Sequence, residues 1–246
     1  MNIFIIGGTS GIGLALASYY HLQGNRVGVC GRDLQKLTDE SRFEKYQADV
    51  TNIVQLQNVI QQFAGERALS LLINCAGSYA EDVADDISYE EAVAMLQTNI
   101  MGAVNCLEVG RKAMCHTGGQ IVLLASISGI LDYPESSLYT KTKRSVIQIA
   151  DAYRRALRRY GIAITTIAPG YVNTKKLRDL NHNDLSKKPF LVTEAQAVRE
   201  IAQAITEKKA LLLFPKQMKW LMRFLSYMPS FLLSKIMYKK AHYMKK

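Results

Sequence analysis

Short apolar runs and longer amphipathic stretches alternate along this chain from its first residues. An apolar run bounded by Gly, Pro, Asn or Ser reads as a buried parallel strand; a stretch with apolar residues at helical spacing reads as a helix. Residues 3–6, 27–30, 45–47, 69–74, 120–126, 163–167 and 211–214 are predicted strands. Residues 12–23, 53–63, 90–114 (as one or two segments), 138–160 and 193–206 are predicted helices, the last with Thr193 as N-cap. This alternation predicts an α/β fold. Its centre is a doubly wound parallel sheet with right-handed crossovers and helices on both faces, in three layers. No internal repeat, low-complexity tract or long linker interrupts the pattern. One stretch, residues 175–191, is too polar for a core, and a loop of that length is expected to serve the site as a lid.

The first strand runs into Gly7-Gly8-Thr9-Ser10-Gly11-Ile12-Gly13 and then a helical pattern. In such a turn, with Gly7, Gly11 and Gly13 at the bend, backbone N–H groups approach a pyrophosphate, and the helix N-terminus adds a favourable dipole. The alternative is a strand-to-helix turn with glycines for sharpness alone. The second strand ends in Cys30-Gly31-Arg32. Dinucleotide folds place an acidic residue near here to bind the adenosine ribose. Gly31 takes that place, and Arg32 offers a planar fork suited to a 2′-phosphate, which points to NADP(H) over NAD. Asp49 and Val50 either meet the adenine or belong to the helix start at Thr51-Asn52. Asn74-Cys75-Ala76-Gly77 closes a buried strand with small residues, leaving room for a ligand.

The most specific constellation is Ser126, Tyr139 and Lys143. Tyr139 and Lys143 stand at i and i+4, one turn apart on one helix face. A phenol with a pKa of about 10 transfers protons poorly at neutral pH. A neighbouring ammonium favours phenolate and lowers that pKa, which is what a general acid/base needs. Ser126 ends the preceding strand, where its hydroxyl reaches the same substrate oxygen.

Composition narrows the classes. The chain has 246 residues, 48% of them hydrophobic, enough for one large domain. The first strand begins at the second or third residue, so no signal peptide is expected, and no apolar stretch reaches the ~18 residues of a spanning helix. Cys30, Cys75, Cys106 and Cys115 form no CxxC pair and read as core residues in a reducing, cytoplasmic setting. The histidines are scattered and suggest no metal. The net charge of +10 is local: residues 208–246 carry ten Lys or Arg and no Asp or Glu, leaving 21 basic against 21 acidic residues elsewhere. A neutral body argues against nucleic-acid binding. The arginines at 154, 155, 158 and 159 read as a solvated helix face or a subunit contact.

These motifs together resemble the short-chain dehydrogenase/reductase family over residues 1–214. The resemblance rests on Gly7-x-x-x-Gly11-Ile12-Gly13, Asn74-Cys75-Ala76-Gly77, Asn99, Ser126, Tyr139-x-x-x-Lys143 and Pro169-Gly170-Tyr171-Val172-Asn173-Thr174. It implies a Rossmann-like fold and hydride transfer between NADP(H) and a small-molecule carbonyl or alcohol. By the same resemblance, Tyr139 is the acid/base and Ser126 orients the carbonyl. Lys143 holds the nicotinamide ribose, with Asn99 supporting a water relay behind it. Pro169, Gly170 and Val172 flank the nicotinamide, and Thr174 lies near its carboxamide or the phosphates. The glycine turn (Gly7, Thr9, Ser10, Gly11, Ile12, Gly13), Arg32, Asp49, Val50, Asn74, Ala76 and Gly77 complete the expected cofactor site, and a homodimer or homotetramer is implied. Ile6 departs from the family's Thr before the first glycine, and Cys75 from its second Asn. Ser128 is a neighbour that Ser126 displaces on spacing. A catalytically silent NADP-binding scaffold or a membrane-interaction protein is the alternative.

Residues 215–246 exceed what the sheet needs. Met218, Leu221, Met222 and Leu225 follow i, i+3, i+4, i+7, with Lys216, Lys219 and Arg223 on a flank. This amphipathic helix is expected to carry Trp220 and Phe224 on its apolar side. Phe231, Leu232, Leu233, Ile236 and Met237 repeat the theme before Lys239-Lys240 and Lys245-Lys246. Such an extension either lies on an anionic membrane surface or covers the core or a subunit contact.

Overall fold

The structure, a computed structural model, describes residues 1–35, 37, 42–79, 87–134 and 136–243, with side chains as far as residue 236 in the last helix. Seven parallel strands form one sheet: β1 (Asn2–Ile6), β2 (Arg26–Gly31), β3 (Glu44–Gln47), β4 (Leu71–Asn74), β5 (Gly119–Leu124), β6 (Ile162–Pro169) and β7 (Leu211–Phe214), in the spatial order β3-β2-β1-β4-β5-β6-β7. The order reverses between β1 and β4, which opens a crevice at the strands' C-terminal ends.

Alternation along the central strands feeds two cores. Phe4 and Ile6 join Phe63, Leu107 and Val146 on one face; Ile3 and Ile5 join Leu16, Ala197 and Ile201 on the other. Helices α1 (Gly11–Leu22) and α7 (Glu194–Thr206) cover the second face, and α2 (Ile53–Ala64), α4 (Gly102–Met114) and α5 (Leu138–Leu157) the first. Burial of both faces explains why the strands read as apolar runs rather than alternating ones. The doubly wound α/β expectation therefore holds.

The boundaries differ where side chains intervene. The predicted 90–114 helix is α3 (Tyr89–Leu96) and α4, joined by a π-helical turn, Gln97–Met101. Ser88 and Glu91 start α3 with a reciprocal capping box. β5 stops at Leu124 and not at 126: the Ser126 hydroxyl accepts from the Ser128 N–H and opens a 3-10 turn, Ile127–Ile130. The stretch expected as a loop at 175–191 begins with α6 (Lys175–Leu180), capped by the Thr174 hydroxyl, which accepts from Leu177 N–H.

The C-terminal residues form α8 (Lys216–Leu225) and α9 (Ser230–Tyr243). Met218, Met222 and Leu233 are buried against Ile127 and Leu131, so one face of α8 covers the turn that follows Ser126. Trp220 and Phe224 are not on that face; both are exposed. The expectation that placed them on the apolar side is corrected. The i, i+3, i+4, i+7 stripe is the one that packs, and the two aromatics fall outside it. Lys245 and Lys246 lie outside the described residues, as do the side chains of Met237, Lys239 and Lys240. Among the described residues, no helix is long and apolar enough to cross a membrane. Arg154 does not join a free patch: it donates to the backbone of Ile164 and Ala210, tying α5 to the last strands.

Candidate active site

The glycine turn sits where β1 meets the β4 end. Gly7 and Gly8 N–H both donate to the Cys30 carbonyl, at 2.9 and 3.2 Å. Those two bonds hold the turn although Ile6 brings no hydroxyl; Ile6 is packed in the core instead. Gly7 has a φ of +72°, and a Cβ there would lie 2.6 Å from the Ala76 nitrogen. A Cβ at Gly13 would lie 2.2 Å from the Gly7 carbonyl oxygen. Bare backbone is therefore required at this bend, and α1 presents its N-terminal N–H groups there, with no side-chain cap from Ser10. Ile12 is half-buried in the first turn of that helix. The Thr9 side chain is buried against Gly31, joining the turn to the end of β2.

Beyond Gly31, Arg32 is exposed at the mouth of a cleft of about 370 Å³ lined also by Gln47, Ala48, Asp49 and Gln55. The Gln47 amide donates to the Arg32 carbonyl at 3.0 Å and leaves the guanidinium at the rim. Asp49 accepts from Thr51 N–H and hydroxyl at 2.9 and 2.8 Å, while Asn52 caps α2. Val50 is buried in the core and its carbonyl accepts from Asn105 at 3.0 Å. A second cleft, of about 400 Å³ at Arg26 and residues 62–67, lies at the opposite end of β2, away from these groups.

The end of β4 is built from Asn74, whose amide accepts from Ala76 N–H at 3.0 Å and donates to the Gly102 carbonyl at 3.4 Å. Its side chain is thus engaged inside the protein and shapes the Ala76-Gly77 bend. Asn99, in the π-helical turn, accepts from Ser78 N–H at 2.9 Å and donates to the Ser78 carbonyl and to the Thr142 hydroxyl, each at 3.0 Å. Sequence reading found Asn99 by resemblance and missed Ser78 and Thr142, the residues it ties together.

Lys143 and Tyr139 project from the first turns of α5, which Ser137 caps by accepting from Thr140 N–H at 3.2 Å. Tyr139 is hydrogen-bonded to Ser126, and Ser126 accepts from the Ser128 hydroxyl at 3.0 Å. This arrangement distinguishes the two serines: Ser126 faces the phenol and Ser128 stands behind it. The Tyr79 ring meets that of Tyr139 edge-on at 5.0 Å. Lys143 is buried, donates to the Leu124 carbonyl at 3.1 Å, and stands 5.7 Å from the Tyr139 ring centre. A Cβ at Gly77 would be 3.2 Å from its Nζ.

The electrostatics are dominated by burial. Burial pushes the Tyr139 hydroxyl up to about 12, with the Ser126 hydrogen bond lowering it and Tyr79 raising it. The expected depression of the phenol by Lys143 does not dominate in the protein by itself. Burial, followed by the nearby Lys176, lowers Lys143 to about 8. Burial also pushes the Cys75 thiol up to about 12, so it stays protonated beside the site.

The other wall comes from β6 and its loop. Gly170 N–H donates to the Phe214 carbonyl at 2.8 Å, Val172 is buried, and Thr174 faces the glycine turn, where a Cβ at Gly11 would lie 3.8 Å from its methyl. Pro169 ends β6. Lys176 donates to the Gly77 carbonyl at 3.3 Å and brings α6 over the cleft. Ile127, Leu131, Tyr133, Tyr171, Met218 and Met222 form an apolar cluster beside Ser126. Among the described residues there is no group of His, Cys, Asp and Glu able to hold a metal.

Comparisons with known proteins place the family and the fold. A family model described as short chain dehydrogenase matches residues 1–185. An uncharacterised oxidoreductase of Staphylococcus aureus is 29% identical over 217 residues, covering 83% of this chain and 90% of that protein. One of Staphylococcus haemolyticus is 33% identical over 178 residues, covering 69% and 77%. ElxO, solved with NADP bound, superposes with a TM-score of 0.76 at 26% identity, over 86% of this chain and 96% of that one. A short chain dehydrogenase from Burkholderia cenocepacia, in complex with NADP, shares the fold at 20% identity, with a TM-score of 0.78 over 92% of each chain.

Proposed function

The chain belongs to the short chain dehydrogenase family, and from that premise we propose that it is an oxidoreductase moving hydride between NADP(H) and an apolar carbonyl or alcohol, with Tyr139 as general acid/base. The observation that carries this reading is the Ser126–Tyr139 hydrogen bond with buried Lys143 one helical turn away, at the C-terminal edge of the sheet. A buried ammonium costs stability, and a silent scaffold has no use for it.

The cofactor is NADP(H), and the residues fit it. The bend at Gly7 and Gly13 leaves no room for side chains, and the first N–H groups of α1, which Ser10 does not cap, are the donors offered to a diphosphate. Arg32, at the rim of the adjoining cleft, would meet a 2′-phosphate. When bound, the cofactor supplies or accepts the hydride.

The chain's own groups do the rest. In reduction, Tyr139 gives its hydroxyl proton to the carbonyl oxygen, and Ser126 holds that oxygen with a hydrogen bond. The Lys143 ammonium stabilises the phenolate left on Tyr139 and would bind the ribose hydroxyls of the cofactor. Asn99 fixes the Ser78 backbone and Thr142 around Lys143, where a water relay returns the proton. The partly buried Ile130, Tyr133 and Tyr171, packed on the core cluster beside Ser126, support an apolar substrate. Such a substrate partitions into membranes, so association with an anionic membrane surface belongs to the same reading. A screen of NADPH oxidation over carbonyl compounds of graded chain length, repeated with NADH, tests it. Turnover that rises with chain length and prefers NADPH is expected; no turnover above background with any compound counts against it.

A further inference from the structure

We propose that the outer face of α8 is a docking surface for an anionic phospholipid bilayer. Lys216, Lys219, Trp220, Arg223 and Phe224 follow i, i+3, i+4, i+7, i+8 and so share one face of the helix. It is opposite to the face on which Met218 and Met222 are buried. Trp220 is 64% exposed and Phe224 68%. The run continues past the helix with Tyr227 at 78% and Phe231 at 74%. Four large aromatics held in water by so short a segment lack a core role, because the core side of α8 is already filled by methionines.

Charge selects the occupant. Residues 208–246 contain no acidic side chain, whereas the rest of the chain is balanced. The only ionisable groups on the outer α8 face are cations, and the Arg223 guanidinium lies 5.9 Å from the Trp220 ring centre. Aromatic rings at headgroup depth with Lys and Arg beside them are the arrangement that seats a helix in a lipid interface. A second copy of this chain would set cations against cations across a two-fold contact. A spanning role is not available to α8, which has ten residues.

The inner face links this surface to the site. Met218 and Met222 pack on Ile127 and Leu131, directly after Ser126, and a Cβ at Gly170 would lie 3.5 Å from the Met218 methyl. A bilayer seated on the outer face would thus lie one helix thickness from the packed cluster that backs Ser126. This inference rests on the membrane-associated reading above, and not on the chemistry at Tyr139.

Co-sedimentation of the full chain with vesicles tests it, using phosphatidylcholine alone and equal parts phosphatidylcholine and phosphatidylglycerol. The wild type should pellet with the anionic vesicles and much less with the neutral ones. Trp220→Ala/Phe224→Ala should lose at least about tenfold in partitioning while keeping NADPH binding, which reports an intact fold. Wild-type binding undiminished in the double variant overturns this surface while leaving membrane association standing. No wild-type binding to either vesicle overturns both. A double variant that changes the sedimentation mass without any vesicle binding assigns the stripe to a second copy and also overturns the proposal.

Discussion

Lys176 on α6 donates to the carbonyl oxygen of Gly77 at 3.3 Å, across 99 residues of sequence. The bond joins the segment after β6 to the end of β4, and Gly77 is also the residue against which the Lys143 ammonium sits. Two cations therefore share one end of the cleft. The polar stretch after Thr174, expected as a loop, opens with a capped helix that reaches the end of β4 through this contact.

That pairing sets a pH dependence. Burial and then Lys176 hold Lys143 at about 8, below its ordinary 10.5. The kcat/KM for NADPH-dependent reduction should fall as pH rises through about 8, where Lys143 loses its charge. Lys176→Gln removes the like charge and should move that fall to higher pH. Superimposable pH profiles for the two proteins would contradict the coupling. The sign for stability is opposite to that of a paired lysine. The unfolded chain binds more protons between about 8 and 10.5, so this group makes stability rise with pH across that window, and its charge costs stability below it.

Arg32 should decide the nucleotide. Arg32→Glu places a carboxylate where a 2′-phosphate would lie and should raise the dissociation constant for NADPH roughly tenfold or more, with NADH far less affected. Fluorescence titration with both nucleotides reads the ratio. An unchanged ratio would mean that Arg32 does not touch the phosphate.

Gly13→Ala would drive a methyl carbon to 2.2 Å from the Gly7 carbonyl. The turn has to move, since the obstacle is backbone. Loss of about 1–3 kcal/mol of stability is expected, by analogy with other overpacked sites, together with weakened NADPH binding. Thermal unfolding with and without NADPH checks both. A variant as stable and as tight-binding as wild type would show that the bend has slack.

The central strands were legible because each is a brief apolar run closed by a turn residue, and burial on both faces erases the alternation that might have misled, whereas the edge strand β3, Glu44–Gln47, is polar and half-exposed. Ser126 and Tyr139 were legible from their spacing. Three features were not. The π-helical turn at Gln97–Met101 has no composition of its own, yet it carries Asn99 into the site. Lys176 reaches Gly77 only through the fold's long crossover, and no local pattern announces a contact of that kind. In α8 the periodic stripe correctly marks Met218 and Met222 as the buried side, but hydrophobicity alone also assigned Trp220 and Phe224 to it, and bulk carries no information about which face has room. The burial of Tyr139 and Lys143 is likewise tertiary. It reverses the simple expectation for the phenol, whose pKa rises where the i+4 ammonium alone would lower it.

The most direct measurement is turnover and NADPH affinity in Tyr139→Phe, which keeps the ring against Tyr79 but removes the proton donor. The account predicts a fall in kcat for carbonyl reduction of roughly a thousandfold, with the dissociation constant for NADPH unchanged. Wild-type turnover in the variant would contradict the assignment of Tyr139 as the general acid/base.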